Sequence, residues 1–291
     1  MIGNKRLWIF LFSAPCMAIY ILVFAVPLVT VFVTSFCDYT PFTTPAFAGL
    51  ANFKTLFVGN SDFADAIRNT LLWVLLQCTV NVFIGVGVAL LLYRKPRGWK
   101  FFRASYMIPN IIPTAAMGFM FFLLYNPDIG MVKALWSLFG SPDSVPNLFG
   151  NSSYSFAAVT STWLLYSAFN TILVMSEIMA IPEQIFESAK VDGANAFQID
   201  LFITIPMLRN IIVTCIILAA VGMVSQFDIL YLTTRGGPGS ASLNLPVYLF
   251  KTANLEMNYG LANATGVVQI LLGLLLVVII GRVLKFGQQY D

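Results

Sequence analysis

Residues 180–209, "AIPEQIFESAKVDGANAFQIDLFITIPMLR", stand between two long apolar stretches, and their reading decides the fold. Only 10% of the 291 residues are Asp, Glu, Lys or Arg, yet Glu183, Glu187, Lys190, Asp192 and Asp200 fall within eighteen positions. A charged side chain at a bilayer centre costs ~2.5–3.5 kcal/mol on insertion scales, so five would cost on the order of 12 kcal/mol. The segment therefore lies outside the hydrocarbon, and the apolar stretches beside it are separate spans.

The rest of the chain follows from that division. It is 58% hydrophobic with a mean hydropathy of +0.82, and a soluble domain of this length needs far more surface charge. Several runs are long enough to cross ~30 Å of hydrocarbon as helices. The fold class is an all-α integral membrane protein, with six transmembrane helices expected at 7–36, 69–93, 104–125, 155–179, 210–233 and 264–286. The first run mimics a signal peptide but is too long for an h-region, so it reads as an uncleaved span. Pro15, Pro27, Pro109 and Pro113 fall in or near spans, where bundled helices tolerate them. Residues 1–68 then hold the first span and first extracellular loop, and 69–286 a five-helix core with the loop 180–209. Residues 287–291 form a C-terminal tail.

Lys and Arg set the orientation. With both termini in the cytoplasm, eleven of them lie inside and five outside, and "RKPRGWKFFR" (94–103) carries most of the excess. The loop 180–209 is then cytoplasmic. Other classes recede. There is no basic tract for nucleic acid. The absence of histidine weakens hydrolase and zinc-site readings. Cys16, Cys37, Cys78 and Cys215 have no metal-type or redox-type spacing. No phosphate-binding loop of the form G-x-x-x-x-G-K-[ST] is present.

Within the loop, Pro182 suits a first helical position, and Glu183 and Glu187 lie at the favourable end of the dipole. Ile181, Ile185 and Ala189 form one apolar stripe. Asp192-Gly193 supplies a turn, and Phe197, Leu201 and Ile205 form a second stripe until Pro206 interrupts it. A solvated loop with an interfacial helix would have the same features. The spacing is more specific. Glu187-Ser188-Ala189, three residues, Gly193, nine residues, Ile203, Thr204, Ile205-Pro206 resembles the EAA loop of binding-protein-dependent ABC importer permeases. Asp192-Gly193-Ala194 matches the "DGA" common in the sugar-importing branch. Ser188 replaces an Ala and Ile205 a Leu. "FFRASYMIPNIIPTAAMGFMFFLLYNPDIGMVKAL" (101–135), "FDILYLTTRGGPGSAS" (227–242) and "NYGLANATGVVQILLG" (258–273) resemble other parts of the same family.

The resemblance implies a type I ABC importer permease fold. It also implies a second permease subunit, two cytoplasmic ATPase subunits that use ATP and Mg2+, and an extracellular solute-binding protein. The chain itself is expected to bind no cofactor. The loop would be the coupling helix, with Glu187, Ser188, Ala189, Asp192, Gly193, Ala194, Ile203 and Pro206 as its motif. The stripe would give affinity for the ATPase, Glu187 a charged contact and Gly193 the turn. Asp192 either caps the second helix or meets the ATPase. The cargo would be a sugar or oligosaccharide; alternatives are glycerol phosphate or another small solute, and remotely an ion-coupled transporter.

Polar groups inside a bundle face a partner or a cavity. Tyr166, Phe169 and Asn170 in the fourth span and Ser225, Gln226 and Asp228 in the fifth are candidates for a substrate pathway, beside Trp163. Gln77, Asn81, Asn263 and Gln269 are weaker ones. Interhelical hydrogen bonding is the competing reading for all of them.

Overall fold

The computed structural model describes residues 3–139, 145–164 and 166–287; the tail expected at 287–291 lies outside the described residues from 288 onward. The chain opens with α1 (Gly3–Tyr20), a π-helical turn and α2 (Val26–Thr34), then a short antiparallel ribbon of β1 (Cys37–Asp38) and β2 (Ala46–Phe47). Next come α3 (Ala51–Phe57) and α4 (Ser61–Leu76), which runs through a π segment, Gln77–Asn81, into α5 (Val82–Tyr93). α6 (Trp99–Met107), α7 (Thr114–Leu124), α8 (Met131–Phe139), α9 (Ser155–Ser161) and α10 (Ala168–Ile178) follow. The loop region holds α11 (Glu183–Val191), α12 (Ala196–Ile199), a π segment Asp200–Thr204 and α13 (Ile205–Met207). α14 (Arg209–Val224), α15 (Asp228–Thr233), α16 (Leu245–Asn254) and α17 (Tyr259–Val283) complete the chain.

Among the described residues, three helices are long and apolar enough to cross a membrane: Trp8–Thr34, Ser61–Tyr93 and Tyr259–Val283. Two bent pairs raise the number to five if each is one span. The continuous helices expected at 104–125, 155–179 and 210–233 are each broken. In the first, Trp99–Ile111 and Thr114–Leu124 meet at 98°. Pro113 drives Ile112 to ψ 128 and stands outside α7 as its N-cap, because a residue before proline is pushed out of the helical region. Tolerance of proline thus holds for Pro15, inside α1, and fails at Pro113.

The break between α9 and α10 involves no proline. Just before it, the hydroxyls of Thr160, Ser161 and Thr162 donate to Phe156 O, Ala158 O and Val159 O, each at 2.7 Å. The freed carbonyls of Trp163 and Leu164 are taken up by Asn81 Nδ2 at 3.4 and 2.9 Å. The break after Val224 is held in a similar way, with Gln226 O accepting from Asn244 Nδ2 at 2.6 Å. Non-helical backbone at membrane depth requires such partners.

Two compact units emerge. One comprises residues 1–64 and 249–270, the other residues 65–248 and 271–291. In the first, Asn263 Nδ2 donates to Thr34 Oγ1 at 2.7 Å, and Asn52 Nδ2 donates to Ser35 O and Cys37 O. In the second, α5, α10 and α14 enclose a core of Val82, Val86, Val174, Ile178, Leu208 and Cys215 among others. Small residues let these helices approach: a Cβ on Gly85 would stand 2.6 Å from Asn170 Cβ. Gly118 likewise lets α7 lie against α15, since its Cβ would meet Ile229 Cα and Leu232 Cβ at 3.2 Å.

Candidate functional site

The charged loop is a helix, a turn and a second helix. Pro182, expected at the first helical position, is instead the N-cap of α11, whose first helical residue is Glu183. At the other end Gly193 adopts φ +85. Its N–H donates to Lys190 O and that of Ala194 to Ala189 O, both at 3.0 Å. This pair of bonds is a Schellman closure, which needs a left-handed residue and so favours glycine. The second helix is capped by Asn195, in a reciprocal capping box with Gln198 at 2.9 and 2.8 Å. Asp192 is therefore not that cap; it is the C-cap of α11.

Both expected stripes are revised. Ile181 and Ala189 do face inward, but with Phe186 rather than Ile185, against Ile199, Ile203, Ala194 and Tyr93. In the second helix Phe197 is 70% exposed and Leu201 is exposed, whereas Ile199 is buried. The inward stripe is consumed within the chain. Glu187, Ser188, Asp192 and Gly193 are all exposed, with Val191, Phe197 and Phe202. Of the motif, Ala189, Ala194 and Ile203 pack inward, and Pro206 is exposed near the 68° bend into α14. The sequence reading missed Arg94, which donates to Ala196 O at 3.0 Å and forms an ion pair with Asp200.

The second feature is a cavity of about 280 Å3 beside the three helix breaks. Tyr166, Phe169, Asn170 and Gln226 line it, as do Gln77, Asn81 and Trp163. Ser225 and Asp228 are not among its lining residues; Asp228 accepts a hydrogen bond from Thr114 Oγ1 at 2.5 Å, joining α15 to α7. Asn170 Nδ2 donates to Asn81 Oδ1 at 2.9 Å, an interhelical bond, and Asn170 also borders the cavity. Gln77 Oε1, Trp163 Nε1 and Tyr166 Oη are buried without a hydrogen-bond partner among the described residues. A buried polar atom left unpaired costs ~1–3 kcal/mol, which a polar guest would recover. None of the lining residues is charged. Amides, hydroxyls and aromatic faces without a cation or carboxylate suit an uncharged, hydroxyl-rich guest. Asn110 and Thr114, also on the wall, escape a reading of the sequence because only the break at Pro113 brings them there. A more apolar cavity of about 430 Å3 shares Pro109, Ile112, Met117, Thr162 and Tyr166 with the first.

Residues 81–286 match the family described as "Binding-protein-dependent transport system inner membrane component". The chain is 29% identical over 256 residues to the probable ABC transporter permease protein y4oQ of Sinorhizobium fredii, covering 87% of this chain and 82% of that one. It is 26% identical to the trehalose/maltose transport system permease protein MalF of Thermococcus litoralis, covering 95% and 93%. Among solved structures, a bacterial alginate ABC transporter in complex with an alginate pentasaccharide-bound periplasmic protein contains a similar chain. Its TM-score is 0.83 at 21% identity, with 98% of each chain covered, and that likeness is one of fold.

Proposed function

The chain belongs to the family of binding-protein-dependent transport system inner membrane components, and from that membership we propose that it is a permease subunit of an ATP-driven carbohydrate importer. It crosses the membrane six times with both termini in the cytoplasm, the broken pair α9 and α10 supplying the fourth span. A second permease subunit completes the pathway, an external solute-binding protein delivers the cargo, and two ATPase subunits hold ATP and Mg2+. The observation that carries this reading is the loop. Its Schellman turn at Gly193 and exposed Glu187, Ser188 and Asp192 present a rigid helical corner at the ends of α10 and α14, which suits a helix-in-groove contact.

The cargo is an uncharged sugar or oligosaccharide. Support comes from the uncharged wall and from Tyr166, Trp163 and Gln77, whose polar atoms lack partners among the described residues. A glycerol phosphate or a uronate would call for a cation on that wall. Relatives carry trehalose or maltose, diacetylchitobiose and sulfoquinovosyl glycerol in their names, all of them carbohydrates. Mechanistically, ATP drives the cycle by binding one arrangement of the complex more tightly than the other, and the loop converts ATPase closure into movement of the spans.

The testing experiment reconstitutes the permease pair, ATPase subunits and binding protein in vesicles. Uptake of neutral disaccharides is then compared with uptake of acidic oligosaccharides and glycerol phosphate. Glu187→Lys combined with Gly193→Asp should abolish ATP-driven uptake at an unchanged level of inserted protein. Normal uptake by that variant would sink the docking role.

A further inference from the structure

We propose that Arg94 is a positioning residue that fastens the loop to the cavity wall, so that the two move as one body. The inference rests on the reading of the loop as the ATPase-docking element. Two consecutive residues at the end of α5 hold both loop helices. The Tyr93 ring lies 6.0 Å from the Phe186 ring of α11. Arg94 grips the second helix twice, through Ala196 O at 3.0 Å and the Asp200 carboxylate. From Arg94 the chain runs back through α5 without a break to Gln77–Asn81, the π segment whose Gln77 and Asn81 line the cavity. Thirteen residues of helix give ~20 Å of stiff rod.

The second loop helix needs such a tie. It is bounded by the Gly193 turn on one side and the 68° bend before Arg209 on the other. It contains a π segment, Asp200–Thr204. Its buried contact to α11 is a small cluster, Phe186, Ala189 and Ile199. Both acceptors, one turn apart, are met by the same Nη2 amino group, which ties that turn of the second helix to the end of α5. The Arg94 and Asp200 side chains are 43% and 21% exposed, where an ion pair adds little to folding stability. Its contribution is directional: loop displacement reaches Gln77 and Asn81 through α5 as well as through α14.

The test uses the assembled complex, with spin labels at Phe83→Cys on α5 and Phe202→Cys on the second loop helix. The native cysteines are replaced by alanine, and distances are measured without nucleotide and after trapping with MgATP and orthovanadate. In the otherwise unaltered protein the distance should stay the same in both states. In Arg94→Ala it should shift and broaden on trapping, and ATP hydrolysed per cargo molecule should rise. Arg94→Lys, which keeps a cationic donor for Ala196 O and Asp200, should restore both in large part. A distance in Arg94→Ala that matches the parent in both states would overturn the inference, as would a parent distance that changes on trapping or an Arg94→Lys variant as uncoupled as Arg94→Ala. A photoreactive maleimide on Glu187→Cys separates the two readings. Failure to cross-link an ATPase subunit overturns the docking role and this inference together, whereas a cross-linked loop with an unresponsive Arg94 variant overturns this inference alone.

Discussion

Asn81 sits where three demands meet: it accepts from Asn170, donates to Leu164 O and Trp163 O, and lines the cavity. An interhelical side-chain hydrogen bond in a membrane protein is worth ~0.6 kcal/mol on average, which would make Asn81 expendable. Its removal, however, leaves the Asn170 amide and a broken-span carbonyl unpaired, at ~1–3 kcal/mol for a buried group. Asn81→Leu should therefore lower stability by about 2 kcal/mol in detergent thermal unfolding, and uptake should fall further than the protein level does. The glycines of the same helix provide an internal comparison. Gly85→Ala meets Asn170 Cβ at 2.6 Å and Ser167 O at 3.3 Å, and a Cβ fixed on a helix cannot rotate aside. Overpacking costs ~1–3 kcal/mol, which outweighs the ~1 kcal/mol gained in helix propensity. A methyl group on Gly87 would have nothing within 4 Å, so Gly87→Ala should be neutral or stabilising. Paired melting curves for the two variants check the sign of each effect.

At the scale of elements, the loop and the broken spans differ in how openly the sequence writes them. The loop is legible because its positive-φ turn is filled by glycine, the residue that adopts that conformation most readily, whereas the positive φ of Lys95, Arg235, Met257 and Lys285 carries no such mark. The space around Gly193 is empty, so the constraint there is backbone conformation alone. Gly193→Val should cost ~1–2 kcal/mol at this left-handed position, and Gly193→Asn distinctly less, since Asn tolerates it. Uptake normalised to membrane level should rank Gly, Asn, Val in that order; equal uptake by all three would count against a conformational role. The Asn195–Gln198 box is easily overlooked beside the more conspicuous Asp192, although its spacing is plain in the sequence. Which face of each loop helix turns inward is not legible, because Ile185 and Phe186 are equally apolar and tertiary packing chooses between them. The breaks at 112–113, 162–167 and 225–227 are hidden for a related reason. Hydropathy reports that a stretch prefers lipid or protein to water, and remains high whether or not its helix is continuous. Tyr166, Phe169, Asn170 and Gln226 can be found because polar and aromatic residues stand out in apolar runs. Asn244, which holds the break at Gln226, lies outside any span and offers no such contrast.

For the molecule as a whole, the proposed orientation rests on the distribution of cations. With both termini inside, eleven Lys and Arg lie inside against five outside, and the excess comes from one short connection, residues 94–103 between the proposed second and third spans. Positive charges in short loops close to span ends are the ones that count in orientation. Arg94 also anchors Asp200, so an orientation test must spare it. Replacing Lys95, Arg97, Lys100 and Arg103 by glutamine leaves seven against five, close to balance. Lys95 and Arg97 lie in the connection after α5 and Lys100 and Arg103 on the first turns of α6, and none of the four is a member of the Arg94–Asp200 pair. Part of the population should then insert with the loop 180–209 on the outside, where no ATPase can reach Glu187. A membrane-impermeant maleimide directed at Gln184→Cys, in a background whose native cysteines are alanine, reads that fraction in intact cells. Labelling should be absent with the four cations in place and appear when they are removed, with ATP-driven uptake falling in the same proportion. Labelling already present in the parent would reverse the orientation and, with it, the assignment of the loop to the cytoplasmic face.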